Sequence, residues 1–421
     1  MVKRKNKVQL ITALDVGSHA IRVAIGKIVE TEKSRVNNLQ IVGLVEVKSE
    51  GVRRGEVSSI EDLVSAISSA FEEAERMSGI LIESVYMAIS GPNIQFQENK
   101  GVVAVAKTDG EICEEDVERA LQSANAVSRP LNYDILHVLP KSFTVDGQTG
   151  IKDPVGMTGN RLEVDTYIIQ VSTSHHNNLS KAVHRTNVDI DDKVFSILAI
   201  ADSVLNSRQK DLGACVVDIG ASTTTMMVFE EGEITHTAVI PVGAGHITND
   251  LAIALKSSIE VAEKVKIKYG HCIPKDVDGR ERIDLSDFSD ENEDNFSLKF
   301  ISQVINARME EILEKIDDEL KKIGRSQLLP AGVVYTGGGA EISGLIKLSK
   351  ELLALPSSLG YPMDISGLSD QAKDLSFVGA ISLLKWGMNF QNLGINRTGL
   401  NIKGLDKMSK QIGSWFKSLV P

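Results

Sequence analysis

Two short segments of the chain combine an aspartate, a glycine and hydroxyl side chains in the same order. Asp15, Gly17 and Ser18 occur in "LITALDVGSHAIRVAIG", and "ACVVDIGASTTTMMVFEEG" repeats the pattern about 200 residues later. Glycine permits a tight turn that leaves backbone N–H groups uncovered, and successive N–H groups in a turn form a concave anion site. An aspartate before such a turn suits a hydrated Mg²⁺ that bridges phosphates. These residue types therefore indicate phosphate binding together with Mg²⁺.

Each segment predicts a strand, a tight turn and an antiparallel return strand, because β-rich runs flank the turn. One copy alone would most simply be an ordinary β-hairpin. Two copies with matched flanks instead favour two related halves that face one phosphate group. Ser222 and Thr223 supply hydroxyl donors in the second copy, as Ser18 does in the first.

A third stretch, "AGVVYTGGGAEISGLIKLSKEL", predicts a strand, a glycine turn and an amphipathic helix. A glycine-rich turn at a helix N-terminus suits a phosphate or a nucleotide, although a tight strand-to-helix connection explains it equally well. Glu263 and Lys266 lie three residues apart on a predicted helix and therefore share a face. Taken alone, they would be an ion pair in solvent.

The order of these segments resembles that of the actin, sugar-kinase and heat-shock chaperone ATPase superfamily. Within it, the chain resembles the FtsA family of bacterial actin-like cell-division proteins over nearly its whole length. The most specific segment is 136–169, "LHVLPKSFTVDGQTGIKDPVGMTGNRLEVDTYII", and "YMAISGPNIQFQENKGVVAV", "EICEEDVERALQSANAV" and "INARMEEILEKI" resemble the family as well. The resemblance implies an α/β, actin-like ATPase fold with two related halves around a nucleotide cleft. It also implies an inserted extra subdomain, called 1C, and a C-terminal amphipathic helix.

The same resemblance implies domain boundaries. We expect subdomain 1A at 8–84 and 165–205, 1C at 85–164, 2A at 210–245 and 330–390, 2B at 246–329, a linker at 391–403, and a membrane-targeting amphipathic helix at 404–421.

The resemblance implies that ATP and Mg²⁺ bind between the halves, with Asp15 and Asp218 holding the metal through water. The implied nucleotide-binding residues are Asp15, Gly17, Ser18, His19, Asp218, Gly220, Ala221, Ser222, Thr223, Gly243, Gly245, Glu263, Lys266, Gly337, Gly338 and Gly339. Many relatives carry a second acid where this chain has Thr225, and a threonine cannot hold hydrated Mg²⁺ by charge. We therefore expect ATP binding with weak or no intrinsic hydrolysis and assign no catalytic residue.

The C-terminal segment is periodic. On a helical wheel its apolar residues fall within an arc of roughly 100°, while Lys407, Lys410 and Lys417 project elsewhere. Such a helix is too short to span a bilayer but suits the membrane interface; docking on its own core or in a protein groove is the alternative. The predicted membrane-binding residues are Leu405, Lys407, Met408, Lys410, Ile412, Trp415, Phe416, Lys417 and Leu419.

Bulk properties limit the function classes. The net charge of −11 argues against nucleic acid as a partner. The basic start runs directly into Asp15, so we expect no signal peptide. Three scattered cysteines predict no disulfide framework and favour a reducing cytoplasm. His175 and His176 are predicted to be a surface pair rather than a metal site.

The resemblance implies a scaffold that polymerises on the cytoplasmic side of the inner membrane at the division site. Its implied partners are further copies of itself, an anionic membrane surface, the C-terminal peptide of the tubulin-like protein FtsZ, and other division proteins. Asn306 and Arg308 are the candidates for peptide binding, or else ordinary helix surface. The alternatives are the actin-like component of a type IV pilus machine and a small-molecule kinase of the same superfamily.

Overall fold

The computed structural model describes residues 9–30, 37–126, 131–288, 294–367 and 373–392. The strands within these residues are β1 (Gln9–Val16), β2 (Ala20–Glu30), β3 (Asn37–Lys48), β4 (Val52–Arg53), β5 (Glu56–Val57), β6 (Ser84–Ile89), β7 (Ile94–Ala104), β8 (Tyr133–Val145), β9 (Gln148–Ile151), β10 (Arg161–Ser172), β11 (Asp189–Phe195), β12 (Ala214–Ile219), β13 (Thr224–Glu230), β14 (Glu233–Ile240), β15 (Arg282–Asp284), β16 (Asn295–Ser297), β17 (Gly332–Thr336), β18 (Ser357–Leu359) and β19 (Ile365–Ser366).

The helices within the same residues are α1 (Ile60–Ser78), α2 (Glu114–Asn125), α3 (Thr173–His184), α4 (Ser196–Val204), α5 (Ser207–Leu212), α6 (Ala244–Leu255), α7 (Ile259–Tyr269), α8 (Leu298–Lys322), α9 (Leu345–Leu353) and α10 (Val378–Asn392). Short 3-10 turns lie at Pro274–Asp276, Leu285–Asp287, Gly338–Glu341 and Leu375–Phe377.

The first sheet has the spatial order β11-β6-β1-β2-β3-β19. Strands β1, β2 and β3 form an antiparallel meander, and β6 runs parallel to β1 with Ala13 opposite Tyr86. Strand β1 is buried without interruption from Ile11 to Leu14, as expected for a strand covered on both faces. Helix α1 packs against β2 and β3, and α10 packs against β1, β2 and β6.

The second sheet repeats this plan with the order β14-β13-β12-β17-β18. Strands β12, β13 and β14 form an antiparallel meander, and β17 runs parallel to β12. The predicted duplication is therefore confirmed as two hairpins, each beside a parallel strand. One continuous apolar core contains residues of both sheets, such as Leu14 and Val217, and of α10, such as Ile381.

Residues 94–172 form a separate four-stranded sheet, with the order β7-β10-β8-β9. Helix α2 packs on this sheet and encloses a second apolar core that includes Leu121, Phe143 and Val164. The backbone N–H of Ser172 donates to the carbonyl of Asn93 at 3.0 Å, so the insertion leaves beside its point of entry.

The strand ends differ from the boundaries expected for the insertion, 85–164. Residues 84–89 are β6 of the first sheet, and β10 continues to Ser172 within the sheet of the insertion. The sequence pattern predicts strands here, but the choice of sheet depends on neighbours that are distant along the chain.

Helix α10 also differs from its expected place in the second half, 330–390. A Cβ atom at Gly379 would lie 2.9 Å from Asp15 Oδ2, and one at Gly387 would lie 2.9 Å from Ile11 Cγ2. Strand β19 likewise pairs with β3 of the first sheet. After the second sheet the chain therefore returns to the first sheet, because the apolar face of α10 packs against it.

Helices α6, α7 and α8 follow the second meander. The hydroxyl of Ser297 caps α8 by accepting from the N–H of Phe300 at 3.2 Å. The buried residues of α8 recur at intervals of three or four and so form one stripe facing the core. They include Ile301, Ile305, Met309, Ile312, Ile316 and Leu320.

Gly101 of β7 is required by the close approach of α2. A Cβ atom there would lie 2.0 Å from the carbonyl oxygen of Ala120 and 2.7 Å from the N of Ala124. We predict that Gly101→Ala lowers the free energy of unfolding by about 1–3 kcal/mol or more, because backbone atoms must move apart. Urea unfolding measures this change. The matched control is Gly43→Ala in β3, where the nearest atoms would lie 3.7 Å away; equal stability of the two variants would contradict the packing argument.

Candidate functional site

The first predicted turn joins β1 to β2. The N–H of Gly17 donates to the carbonyl of Ala20 at 3.0 Å and closes the turn. A Cβ atom at Gly17 would lie 2.9 Å from the same carbonyl oxygen, so a side chain is disfavoured there. The hydroxyl oxygen of Ser18 accepts from the N–H of Gly55 at 2.8 Å. These bonds hold Asp15 at the end of a fixed strand.

The second turn, between β12 and β13, closes in the same way. The N–H of Gly220 donates to the carbonyl of Thr223 at 2.9 Å. The start of α6 packs onto this turn, since Ala244 N donates to Gly220 O and Gly245 N to Ala221 O, each at 2.8 Å. A Cβ atom at Gly243 would lie 2.4 Å from Gly220 O. Glycine at 243 and 245 therefore allows the start of α6 to pack closely against the second turn.

The third turn lies directly against Asp218. A Cβ atom at Gly337, where φ is +82°, would lie 2.4 Å from Asp218 Oδ1, and one at Gly339 would lie 2.4 Å from Ile219 Cγ2. The hydroxyl of Thr336 donates to Asp218 Oδ1 at 3.4 Å. The structure therefore brings the second and third predicted turns together, while Gly338 follows on the same 3-10 turn.

The two aspartates are close enough to interact electrostatically. Burial and, after it, the charge of Asp15 together raise the pKa of Asp218 to about 7, against opposing effects of Thr336 and Arg22. Burial also raises the pKa of Asp15, partly offset by Arg22. Two carboxylates from equivalent strands thus share one partly enclosed space, in which a cation would relieve their repulsion.

Arg22 was not among the predicted site residues. It is the cross-strand partner of Asp15 in the β1–β2 hairpin. Its Nη2 lies 2.7 Å from Glu46 Oε2, and its guanidinium lies 5.7 Å from the centre of the Phe377 ring. Arg22 could have been identified from the sequence by pairing residues outward from the glycine turn of the hairpin, because this register places it opposite Asp15.

The predicted pair Glu263 and Lys266 does share a face of α7. Lys266 Nζ donates to Glu263 Oε2 at 2.7 Å and to the hydroxyl of Thr248 at 2.9 Å. Burial alone would raise the pKa of Glu263, but Lys266, Thr248 and the more distant His19 hold it below its usual value. His19 belongs to the first turn, so α7 faces that turn across the space between the two sheets. The pair is half-buried rather than fully in solvent.

Asn306 and Arg308 lie on α8 and contact other parts of the chain. Asn306 Nδ2 donates to the carbonyl of Cys272 at 2.8 Å. Arg308 Nε and Nη2 donate to the carboxylate of Asp250 at 2.7 and 3.0 Å, and Arg308 also contacts Glu311. Both side chains thus tie α8 to neighbouring segments, and peptide binding by them stays a prediction.

The prediction of a surface position is wrong for His175. This residue is buried in α3, and burial lowers its pKa. His176 is half-buried, with Nε2 3.5 Å from Asp134 Oδ2. Among the residues that the structure describes, no group of three or more His, Cys, Asp or Glu is arranged to hold a metal ion.

An open cavity of about 800 Å³ lies along α9 and is lined by residues including Glu341, Ser343, Lys347 and Leu359. Neither aspartate lines it. The convergence of the three turns, rather than this cavity, defines the candidate site.

The predicted linker, 391–403, begins too early, because residues 391 and 392 belong to α10. The rest of the linker and the predicted membrane-binding residues, from Leu405 to Leu419, lie outside the described residues. No helix within the described ranges is long and apolar enough to cross a membrane.

Comparison with known proteins agrees with this geometry. Residues 215–382 match the family described as "Cell division protein FtsA", and residues 91–170 match the "SHS2 domain inserted in FTSA". The chain is 33% identical to the cell division protein FtsA of Pseudomonas aeruginosa over 92% of this chain and 91% of that protein. It is 36% identical to the FtsA protein of Bacillus subtilis over 83% and 78% of the two chains.

Two solved structures share the fold at low sequence identity. The PilM-PilN type IV pilus biogenesis complex superposes with a TM-score of 0.65 at 16% identity, covering 90% of this chain and 98% of that chain. MreB 5 of Spiroplasma citri bound to AMPPNP superposes with a TM-score of 0.53 at 13% identity, covering 92% and 98%.

Two meanders, each beside a parallel strand, with glycine turns meeting between them, define an actin-like protein. The matches extend over nearly the whole chain and include the insertion. The chain belongs to the FtsA family of cell-division proteins. The likeness to the pilus complex, at 16% identity, is one of fold.

The raised pKa of Asp218 gives a prediction about stability without ligand. The folded protein binds a proton at Asp218 more tightly than the unfolded chain does, so this group lowers the free energy of unfolding as pH rises from about 4 to about 7. Asp218→Asn should therefore be more stable than the parent protein at pH 8, by at least about 1 kcal/mol, with a smaller difference at pH 5. Urea unfolding in EDTA at both pH values measures this. The control is Glu314→Gln on the exposed side of α8, and a destabilised Asp218→Asn protein at pH 8 would contradict the electrostatic account.

Proposed function

We propose that this protein binds ATP and Mg²⁺ between its two sheets and polymerises on the inner face of the cytoplasmic membrane, where it tethers FtsZ for cell division. The observation that carries the nucleotide part is the approach of Asp15 and Asp218 at the ends of equivalent strands. Family membership supports the role in division.

The residues present are suited to a hydrated divalent cation. Both carboxylates have raised pKa values because of burial, and a nearby dication would favour their ionised forms. Two carboxylates suit Mg²⁺, because that ion keeps several waters and binds to few carboxylates. Bound there, Mg²⁺ would neutralise negative charge on phosphate oxygens.

The turns are also suited to a nucleotide. Gly337 keeps a side chain away from Asp218, while Gly17 and Gly220 let the other two turns close tightly. Backbone groups of such turns bind anions. Across the gap, Glu263 is held ionised by Lys266 and offers an acceptor for sugar hydroxyls. MreB 5, which has a similar fold, is bound to AMPPNP, and this supports nucleotide binding by the present chain.

Hydrolysis by this site is proposed to be weak. Thr225 is the cross-strand partner of Asp218 and is buried. A hydroxyl at this position supplies no negative charge for a metal-bound water. Binding of ATP, rather than its turnover, is therefore the proposed signal for assembly.

We predict that Mg²⁺-ATP affinity depends on Asp218 and on pH. A carboxyl whose pKa is about 7 must lose its proton when the cation binds, so affinity should fall about tenfold between pH 8 and pH 6. Asp218→Asn should weaken binding at pH 8 and remove most of this dependence. Calorimetric titration with and without EDTA measures both effects. Parental affinity in a folded Asp218→Asn protein, with Glu314→Gln as the control, would refute the cleft assignment.

The proposed membrane anchor is the segment from Leu405 to Leu419. Its apolar residues share one face in a helix, and Trp415 suits the interface because its ring is apolar while its N–H is polar. One such anchor binds reversibly. Linking many subunits in a filament makes later anchors bind intramolecularly, which strengthens attachment without new contacts. The proposed filament and the proposed anchor therefore depend on each other.

We predict that Trp415→Glu weakens vesicle binding by roughly thirty-fold per tail, because it removes apolar burial and adds a negative charge. ATP affinity should not change. The matched control is Ser414→Glu, which adds the same charge on the polar side of the predicted helix. Co-sedimentation with phosphatidylglycerol vesicles measures the loss. Native binding by Trp415→Glu, or an equal loss in Ser414→Glu, would favour a tail that docks in a protein groove.

A further inference from the structure

The insertion contacts the second half of the protein through a lysine. Lys152, which follows β9 of the insertion, donates from Nζ to the carbonyl oxygen of Glu231 at 2.7 Å. Glu231 and Gly232 form the two-residue turn between β13 and β14, with φ of +55° and +81°. Their backbone N–H groups donate to the carbonyls of Asp211 and Lys210 in α5 at 3.1 and 3.2 Å, respectively. The lysine therefore binds to a turn whose shape and position are fixed.

Further side chains extend this contact along β14, an edge strand of the second sheet. Glu233 begins β14; burial raises its pKa, while Lys152 and Lys141 of the insertion oppose this effect. Burial also raises the pKa of Tyr167 in β10 to about 12, and Thr237 of β14 partly offsets the rise. Both Tyr167 and Thr237 are buried. Glu233 and Thr237 lie on one face of the strand, since successive side chains alternate. This face of β14 therefore packs against the insertion.

The insertion is also packed against the first half. The rings of Phe96 in β7 and Phe195 at the end of β11 have centroids 5.8 Å apart. The backbone N–H of Phe195 donates to Nε2 of His137 in β8 at 3.0 Å. The His137 ring in turn lies edge-on to Trp386 of α10, with centroids 6.0 Å apart. Because these buried rings fix the insertion to the first half, the bond from Lys152 to Glu231 is a contact between the two halves.

The lysine contact and the candidate site lie at opposite ends of the second sheet. Asp218 is next to the last residue of β12, beside the turn that leads into β13. The turn at Glu231 follows the other end of β13, where Phe229 pairs with Ala214 at the start of β12. Ala214 and Asp218 are four residues apart, which is about 13 Å along a strand. The turn bound by Lys152 thus belongs to the same sheet as Asp218 but lies far from the cleft.

The two chain segments that join the halves run side by side. One leads from α4 to α5, and the other leads from β18 to β19. The N–H of Met363 donates to the carbonyl of Ser203 at 3.0 Å, and a Cβ atom at Gly360 would lie 3.4 Å from Val204 Cβ. Two adjacent connections at the ends of helices and strands form a hinge about which one half can rotate. A rotation that moves Asp218 therefore also displaces the β13–β14 turn relative to the insertion.

We propose that Lys152 is a positioning residue that opposes closure of the cleft, by holding the β13–β14 turn against the insertion until Mg²⁺-ATP binds between the halves. The inference rests on the proposed nucleotide binding. In the described arrangement Asp15 and Asp218 repel each other, and Mg²⁺ between them would turn this repulsion into attraction and draw the halves together. A ligand shifts such an equilibrium only by its preference for one arrangement. A contact made in the other arrangement therefore lowers the affinity for the ligand.

The test measures the Mg²⁺-ATP affinity of the full chain by calorimetric titration. Lys152→Met removes the donor and keeps a side chain of similar length. This variant should bind Mg²⁺-ATP about threefold to tenfold more tightly than the parent, because the contact no longer opposes closure. Lys152→Arg can still donate to the Glu231 carbonyl and should keep nearly the parental affinity. The charge-matched control is Lys107→Met, at an exposed lysine of the insertion that lies beside Glu111.

A second measurement follows the contact itself. Amine-reactive labelling of the parent, read by mass spectrometry, should modify Lys152 about threefold faster when Mg²⁺-ATP is present, because the amine loses its hydrogen bond. Labelling of Lys107 should not change, and Asp218→Asn should remove the increase at Lys152. Parental affinity of Lys152→Met, or unchanged labelling of Lys152 at saturating Mg²⁺-ATP, would overturn the inference and leave nucleotide binding intact. A parent protein that does not bind Mg²⁺-ATP would instead refute the proposed function and the inference together.

Discussion

The repulsion between Asp15 and Asp218 is the constraint around which the two halves are built. Each carboxylate lies one residue before the end of a buried strand, and a glycine turn connects that strand to the next. Neither carboxylate can move away from the other, because its strand fixes its position. Burial also removes the water that would screen the two charges. A cation bound between them would change the free energy of every arrangement that alters their separation. Binding of such a ligand would therefore be linked to the relative position of the halves through one pair of charges.

Further contacts surround this pair. Arg22 lies beside Asp15 and also contacts Glu46 and Phe377. Glu341, which follows the third turn, accepts from the N–H of Leu375 at 2.9 Å just before α10 begins. Burial and the neighbouring Asp374 raise the pKa of Glu341. The segment from the third turn to α10 thus joins the second half to the first, close to both aspartates.

The local parts of the site could be predicted from the sequence, because a turn that needs glycine leaves a local signature. The duplicated hairpins and the "TGGG" turn are examples. The expectation for α10 placed it in the second half, since nothing in its own residues reveals that Gly379 approaches Asp15. The expected boundaries of the insertion differ from the observed ones for the same reason. The sequences of β6 and β10 both predict strands, but they do not reveal which sheet each strand joins. The burial of His175 depends on tertiary packing that two adjacent histidines do not encode.

The two chain segments that connect the insertion to the first sheet lie next to each other. Asn93 and Ser172 are hydrogen-bonded neighbours, and between them lies a unit with its own apolar core. Closing the rest of the chain around this unit needs little loop-closure entropy, because its two ends already meet. The insertion can therefore diverge or be exchanged during evolution without disturbing the strand order of the sheet that carries it. The fold in this way separates the two sheets that form the cleft from a surface that can change without altering them.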